Sequence, residues 1–229
     1  VGLLLITYLV VGNLLLRNRH IRYELTIKVR TPDGIRRGSS IIQATIERSM
    51  PFWGDNGIRH RVTGNAPAVE LPDGRLVFAL LWGSASVSLP EVAARDTNVL
   101  PAVTDWRRNK PTSVIWSQLK AKRPLINVDE AFIALRTRPS AGSGYPTIAI
   151  VDPADAKSIQ LVDWANSEDV LGSGFSLTGL ELRFVNAPPD TALDPPWLPT
   201  VSRAHDDLGP SGLGRLGVTL ANFVARRAG

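Results

Sequence analysis

Residues 23–47 read YELTIKVRTPDGIRRGSSIIQATIE, and no other stretch of the chain states its conformation so plainly. Tyr23, Leu25, Ile27 and Val29 alternate with Glu24, Thr26, Lys28 and Arg30. A period of two puts the apolar side chains on one face of a pleated strand and the polar ones on the other. Pro32-Asp33-Gly34 supplies a turn, because proline presets φ and glycine accepts the left-handed position. A returning strand over residues 37–47 buries Ile42, Ala44 and Ile46. Together they predict an antiparallel hairpin.

The device recurs downstream. Residues 69–71 lead into Pro72-Asp73-Gly74, and RLVFALLW follows over residues 75–82. A run of that length with a single charge predicts a strand buried on both faces. Ile58, His60 and Val62 alternate with Arg59 and Arg61, which adds another strand. YPTIAIV at residues 145–151, a turn at Asp152-Pro153-Ala154-Asp155 and a return over residues 158–162 make a further hairpin. Residues 177–185 alternate through Leu180, Leu182 and Phe184.

Helices are few. S-L-P-E at residues 88–91 has capping-box spacing and predicts a short helix through about Arg95. Residues 112–120 lean to helix, and residues 128–135 fit either state. Pro188, Pro189, Pro195, Pro196 and Pro199 then restrict regular structure. Residues 215–227 return to helical spacing, with Leu216, Leu220, Phe223 and Val224 on one face and Arg226 and Arg227 in the last turn. The expected fold class is α+β, mostly antiparallel β hairpins with a few short helices, preceded by one N-terminal apolar helix. Residues 1–22 are expected as a membrane anchor or uncleaved signal-like segment and residues 23–199 as a β-rich globular domain. Residues 200–229 are expected as a Pro/Gly-rich linker and a C-terminal amphipathic helix.

Residues 1–16, VGLLLITYLVVGNLLL, carry no charge. As a helix they rise about 24 Å, short of a hydrocarbon core of roughly 30 Å. A transmembrane anchor, a signal-peptide core and a buried helix all compete for this run. No small-x-small cleavage site follows it; Arg17, Arg19 and Arg22 do, which favours the anchor. The chain opens on Val1, so either upstream residues are missing or a non-standard start has been read literally. The basic flank alone keeps the domain cytoplasmic, and a basic stretch upstream reverses that.

The chain holds 26 basic and 21 acidic residues, a net +5, with a pI near 10.0. That looks like a nucleic-acid signal until its distribution is counted. Residues 1–22 hold three arginines and no acid, Arg226 and Arg227 add two more cations, and residues 23–225 hold 21 of each sign. A neutral body with basic ends suits a membrane surface better than nucleic acid. Arginine outnumbers lysine 21 to 5, which a GC-rich coding bias explains. The 44% hydrophobic and 21% charged composition excludes a disordered chain, a collagen repeat and a multi-span membrane protein.

Chemistry is hard to find. The absence of cysteine removes disulfides, thiolate metal sites and a Cys nucleophile. His20, His60 and His205 lie far apart without H-x-x-x-H or H-x-H spacing. There is no G-x-S-x-G, H-E-x-x-H or G-x-x-x-x-G-K motif. His205-Asp206-Asp207 is read as a solvated loop, Asp152 and Asp155 as turn formers, and Asp129-Glu130 and Glu168-Asp169 as solvated surface. Gly142-Ser143-Gly144 and Gly172-Ser173-Gly174 are read as plain loops, and the six dispersed tryptophans as core and loop anchors. No catalytic residue, metal ligand or cofactor is expected. Candidate contact residues are Phe52 and Trp53 in the loop over residues 50–57. Trp106, Arg107, Arg108 and Lys110, over residues 106–111, form an internal basic cluster beside an aromatic ring.

IRYELTIKVRTPDGIRRGSSIIQATI, VELPDGRLVFALL, YPTIAIVDPADAKSIQLVD and PPWLP together resemble a family of uncharacterised proteobacterial single-span membrane-anchored proteins with a β-rich domain. The carrying motifs are L-T-x-x-V-x-T-P-D-G-x-x-x-G-S-S, D-P-x-D-x-x-S-x-x-x-V-D and a late P-W-L, across roughly residues 23–198. The resemblance implies a domain tethered to the bacterial inner membrane, on its periplasmic side, with no assigned activity. The expected function is a membrane-anchored, non-enzymatic binding or structural domain. Its expected partners are membrane lipid through residues 1–22 and an unidentified protein or small molecule. A hydrolase using carboxylates with His60 or His205 is the first alternative, and a nucleic-acid binder the second.

Overall fold

The computed structural model describes residues 19–48, 58–81, 89–93, 112–129, 145–154, 159–191 and 223–225. The apolar run at residues 1–16 lies outside them. The described chain is β-rich, its strand pairs are all antiparallel, and its helices are short. No helix among the described residues is long and apolar enough to cross a membrane.

The founding hairpin joins β1 (Arg19–Thr31) to β2 (Gly34–Arg48), with Thr31 opposite Gly34 and the pair zipped back to Arg19 opposite Ile46. Gly34 has φ 125°, and the Thr31 hydroxyl donates to its carbonyl at 2.9 Å. Tyr23, Leu25, Ile27 and Val29 are all buried, as the alternation demands. β3 (Ile58–Asn65), β9 (Ser176–Phe184), β6 (Leu125–Asp129) and the two-residue β10 (Val224–Ala225) extend this sheet, whose order is β10-β3-β2-β1-β9-β6. On its outer face Lys28 ion-pairs with Glu181 and donates to Asn127 Oδ1 at 3.4 Å, which ties three strands together.

A second sheet holds β4 (Ala68–Glu70), β5 (Leu76–Ala79), β7 (Ile148–Val151) and β8 (Gln160–Val162) in that order. Ala66 and Pro67 carry the chain from β3 into β4, so the sheets meet at a corner. β5 is shorter than RLVFALLW suggests, but residues 76–81 are all buried, as expected for a central strand. One continuous core joins the sheets. They come close at Gly38, where an added Cβ would overlap the Ala68 carbonyl oxygen. Only glycine fits there.

The helices α1 (residues 89–93), α2 (Thr112–Lys122) and α3 (Ser167–Leu171) cover the flanks. α1 and α2 are where the sequence puts them. Of residues 128–135 only Val128 and Asp129 lie among the described residues, and they end strand β6, in which Ile126 and Val128 are buried between exposed neighbours. The tail requires a correction. Helical spacing predicts a helix over residues 215–227, of which only 223–225 are described, and there the chain is a strand, β10 (Val224–Ala225), paired with Asn65 and Gly64 of β3. Phe223 is fully buried, edge-on to Phe78 at 5.0 Å between ring centroids, and its carbonyl accepts the Ala66 N–H at 2.7 Å. An unpaired edge of β3 and an aromatic slot beside Phe78 outweigh the local helical preference of these residues.

Candidate functional site

β9 stops at Phe184, level with Tyr23, while β1 runs on toward Arg19. The Val185 N–H still reaches the Arg22 carbonyl at 3.1 Å before the chain turns away at Asn186. The C-terminal end of α2 approaches beside this gap, with Trp116 and Leu119 buried in the core. An open cleft of about 60 Å³ results, lined by His20, Ile21, Arg22, Lys120, Arg123, Phe184, Val185 and Asn186. Every ionisable side chain among those lining residues is basic.

Asn186 organises the cleft. Its carbonyl oxygen accepts from Arg22 Nη1 at 3.1 Å, and its Oδ1 accepts from Arg123 Nη2 at 2.9 Å. Arg22 Nε donates to Gln43 Oε1 at 2.8 Å. A guanidinium carries about five N–H donors, so these bonds orient both groups and leave donors over. Burial, then Lys120 and Arg22, push the His20 imidazole below its ordinary pKa. Near neutral pH it is therefore an uncharged partner among fixed cations.

Arg123 stands out on backbone grounds. Among the described residues it is the one non-glycine with positive φ, at 42°. Its N–H closes the last turn of α2 on the Leu119 carbonyl at 2.8 Å, and Pro124 stops the helix from continuing. Helix ends of this kind usually carry glycine, because a side chain in the left-handed region costs about 1 kcal/mol. Arginine holds the position against that cost and turns its head group to Asn186.

A second polar feature lies away from the cleft. Burial pushes the Glu91 carboxyl of α1 up to about 7, while the Trp116 indole of α2 favours its charged form. Neither Glu91 Oε1 nor Trp116 Nε1 makes a hydrogen bond of good geometry. Elsewhere polar groups close loops. Asp152 Oδ1 accepts the Ala154 N–H at 2.8 Å, the turn role expected of it. Glu168, read from sequence as solvated surface, is exposed and also accepts the Gly174 N–H at 2.9 Å, closing the Gly172-Ser173-Gly174 loop.

Phe52, Trp53, Trp106, Arg107, Arg108 and Lys110 lie outside the described residues, as do His205 and its acidic neighbours. His60 is a position in β3. Trp116 and Trp164 are buried, as anchors should be, and Trp164 Nε1 donates to the Pro146 carbonyl at 3.3 Å. No group of three metal-ligating side chains occurs among the described residues. The cleft residues are missed by sequence reasoning because they come from segments about a hundred and sixty residues apart. The available signal is Lys120-Ala121-Lys122-Arg123, a second internal basic cluster at a helix end. Comparison with protein-family models, with curated proteins and with solved structures finds no match to the chain.

Proposed function

We propose that this chain is a membrane-anchored binding or structural domain without catalytic activity. The observation that carries the reading is one of position. β1 begins at Arg19, three residues past the end of the uncharged run of residues 1–16, so an anchor there would hold the domain by its own first strand. The basic cleft opens at that same end of β1. A β domain whose residues 23–225 are charge-neutral, held at a basic end, suits attachment to a bilayer surface. The cleft's ionisable groups are basic, whereas carboxylate-assisted hydrolysis needs paired acids, so the cleft does not support the hydrolase alternative.

The resemblance noted above favours the inner membrane and the periplasmic side. The test is fractionation of bacteria expressing the full chain, followed by an alkaline wash of the membranes. The chain is expected to stay in the washed pellet, and release into the supernatant would overturn the reading. Reporter fusions after Gly229 assign the side. Alanine replacement of Phe52, Trp53, Trp106, Arg107, Arg108 and Lys110 tests the loop contacts, with loss of a co-purifying partner as the expected result.

A further inference from the structure

The cleft has a chemistry of its own. Arg22 and Arg123 are both held by Asn186, Lys120 completes a set of cations from two segments, and no acid among the lining residues competes for them. Their complement is a compact anion that accepts several N–H bonds at once, which describes a phosphate ester. His20 adds an imidazole whose pKa is lowered by burial and by Lys120 and Arg22, and a bound anion would favour its charged form. Arg123 sits in the left-handed region with its guanidinium on the Asn186 side chain.

The location selects the phosphate. His20 lies four residues beyond Leu16, the last residue of the uncharged run, a reach of about 14 Å at most for extended chain. If that run enters the bilayer, the cleft stands at headgroup depth. Phosphate there is abundant and lipid-bound, and its field attracts basic side chains. We propose that His20, Arg22, Lys120 and Arg123 bind the phosphodiester headgroup of an anionic lipid, so that the domain rests on the membrane that anchors it. This inference depends on the anchor reading for its choice of lipid over free phosphate.

The full chain in nonionic detergent micelles provides the test, because micelles keep it dispersed whether or not its apolar run spans. The His20 ring proton resonance, assigned with His20→Asn, is followed while short-chain phosphatidylglycerol, phosphatidylcholine or inorganic phosphate is added. A saturable shift with phosphatidylglycerol is expected, with phosphatidylcholine and inorganic phosphate at least fivefold weaker. Lys120→Ser and Arg123→Gly each weaken the phosphatidylglycerol response about fivefold, the factor expected for one cation at an anionic lipid. Arg123→Gly also relieves the left-handed strain, so its loss of binding cannot be blamed on unfolding. Inorganic phosphate binding as tightly as phosphatidylglycerol would overturn the lipid assignment. No saturable shift with any of the three would overturn the cleft as an anion site. Retention in the alkaline pellet without headgroup binding removes this inference and spares the anchor; release from the pellet with headgroup binding intact does the reverse.

Discussion

Single residues carry more than local weight here. Glu91 is an acid whose folded pKa of about 7 exceeds its ordinary 4.5 because burial penalises the carboxylate. The folded state therefore holds the proton more tightly than the unfolded state, and that contribution to stability is lost as pH rises from about 4.5 to 7. Glu91→Gln keeps the shape and removes the charge. It is expected to stabilise the protein by roughly 2 kcal/mol at pH 8 and to change little at pH 4, measured by urea unfolding at both. His20 runs in the opposite chemical sense. Its folded pKa is lowered by burial and by Lys120 and Arg22, so stability falls as pH drops through the ordinary 6.5 toward the folded value. His20→Asn is expected to flatten that acid limb of the unfolding profile, with Arg123 as the remaining cation facing the site. None of this is legible in the sequence. Glu91 reads as half of a capping box, and the tryptophan that meets it lies on another helix.

At the scale of elements, period and turn chemistry were enough for most strands. Tyr23, Leu25, Ile27 and Val29 alternate without exception, and both P-D-G turns fall where two strands must reverse. The Asp73 turn shows why such a motif is robust. Burial works against its carboxylate, but the Arg75 guanidinium at 2.7 Å outweighs it and holds the carboxyl below the usual range. Arg75 then donates to the Leu171 carbonyl at 2.6 Å, which ties the turn to α3. The tail was not legible, because Phe223 and Val224 fit a helical stripe as well as they fit a strand edge. What decides between them is the distant partner, β3 and Phe78. Phe223→Ala is accordingly expected to cost about 3–5 kcal/mol in chemical unfolding, the penalty of an emptied core site. A cost below about 1 kcal/mol would mean that the tail does not close this core. Gly38→Ala tests the corner between the sheets. A methyl group cannot share space with the Ala68 carbonyl, so the strands must part, at a cost of about 3 kcal/mol or more.

At the scale of the whole molecule, the described residues form two joined sheets, and the N-terminal end of the first strand meets Arg22, Lys120 and Arg123 in one cleft. The net +5 that first suggests nucleic acid belongs to the chain ends. The internal cations at the cleft lie beside the end of β1 where residues 1–16 join, a convergence that only the fold produces. This whole-molecule arrangement makes a prediction that no single residue makes: the domain has one end that faces the bilayer. Lys120 lies at that end, in the cleft, whereas Lys28 is eight residues along β1 from His20, about 26 Å away, and paired with Glu181. The most direct measurement is the rate at which an amine-reactive, membrane-impermeant reagent acetylates each lysine. It is made on the full chain in phosphatidylcholine vesicles with and without phosphatidylglycerol, and read by mass spectrometry. Lys120 is predicted to react at least threefold more slowly when phosphatidylglycerol is present, with Lys28 unchanged. Equal Lys120 rates in the two kinds of vesicle would contradict a domain that rests its basic cleft on anionic lipid.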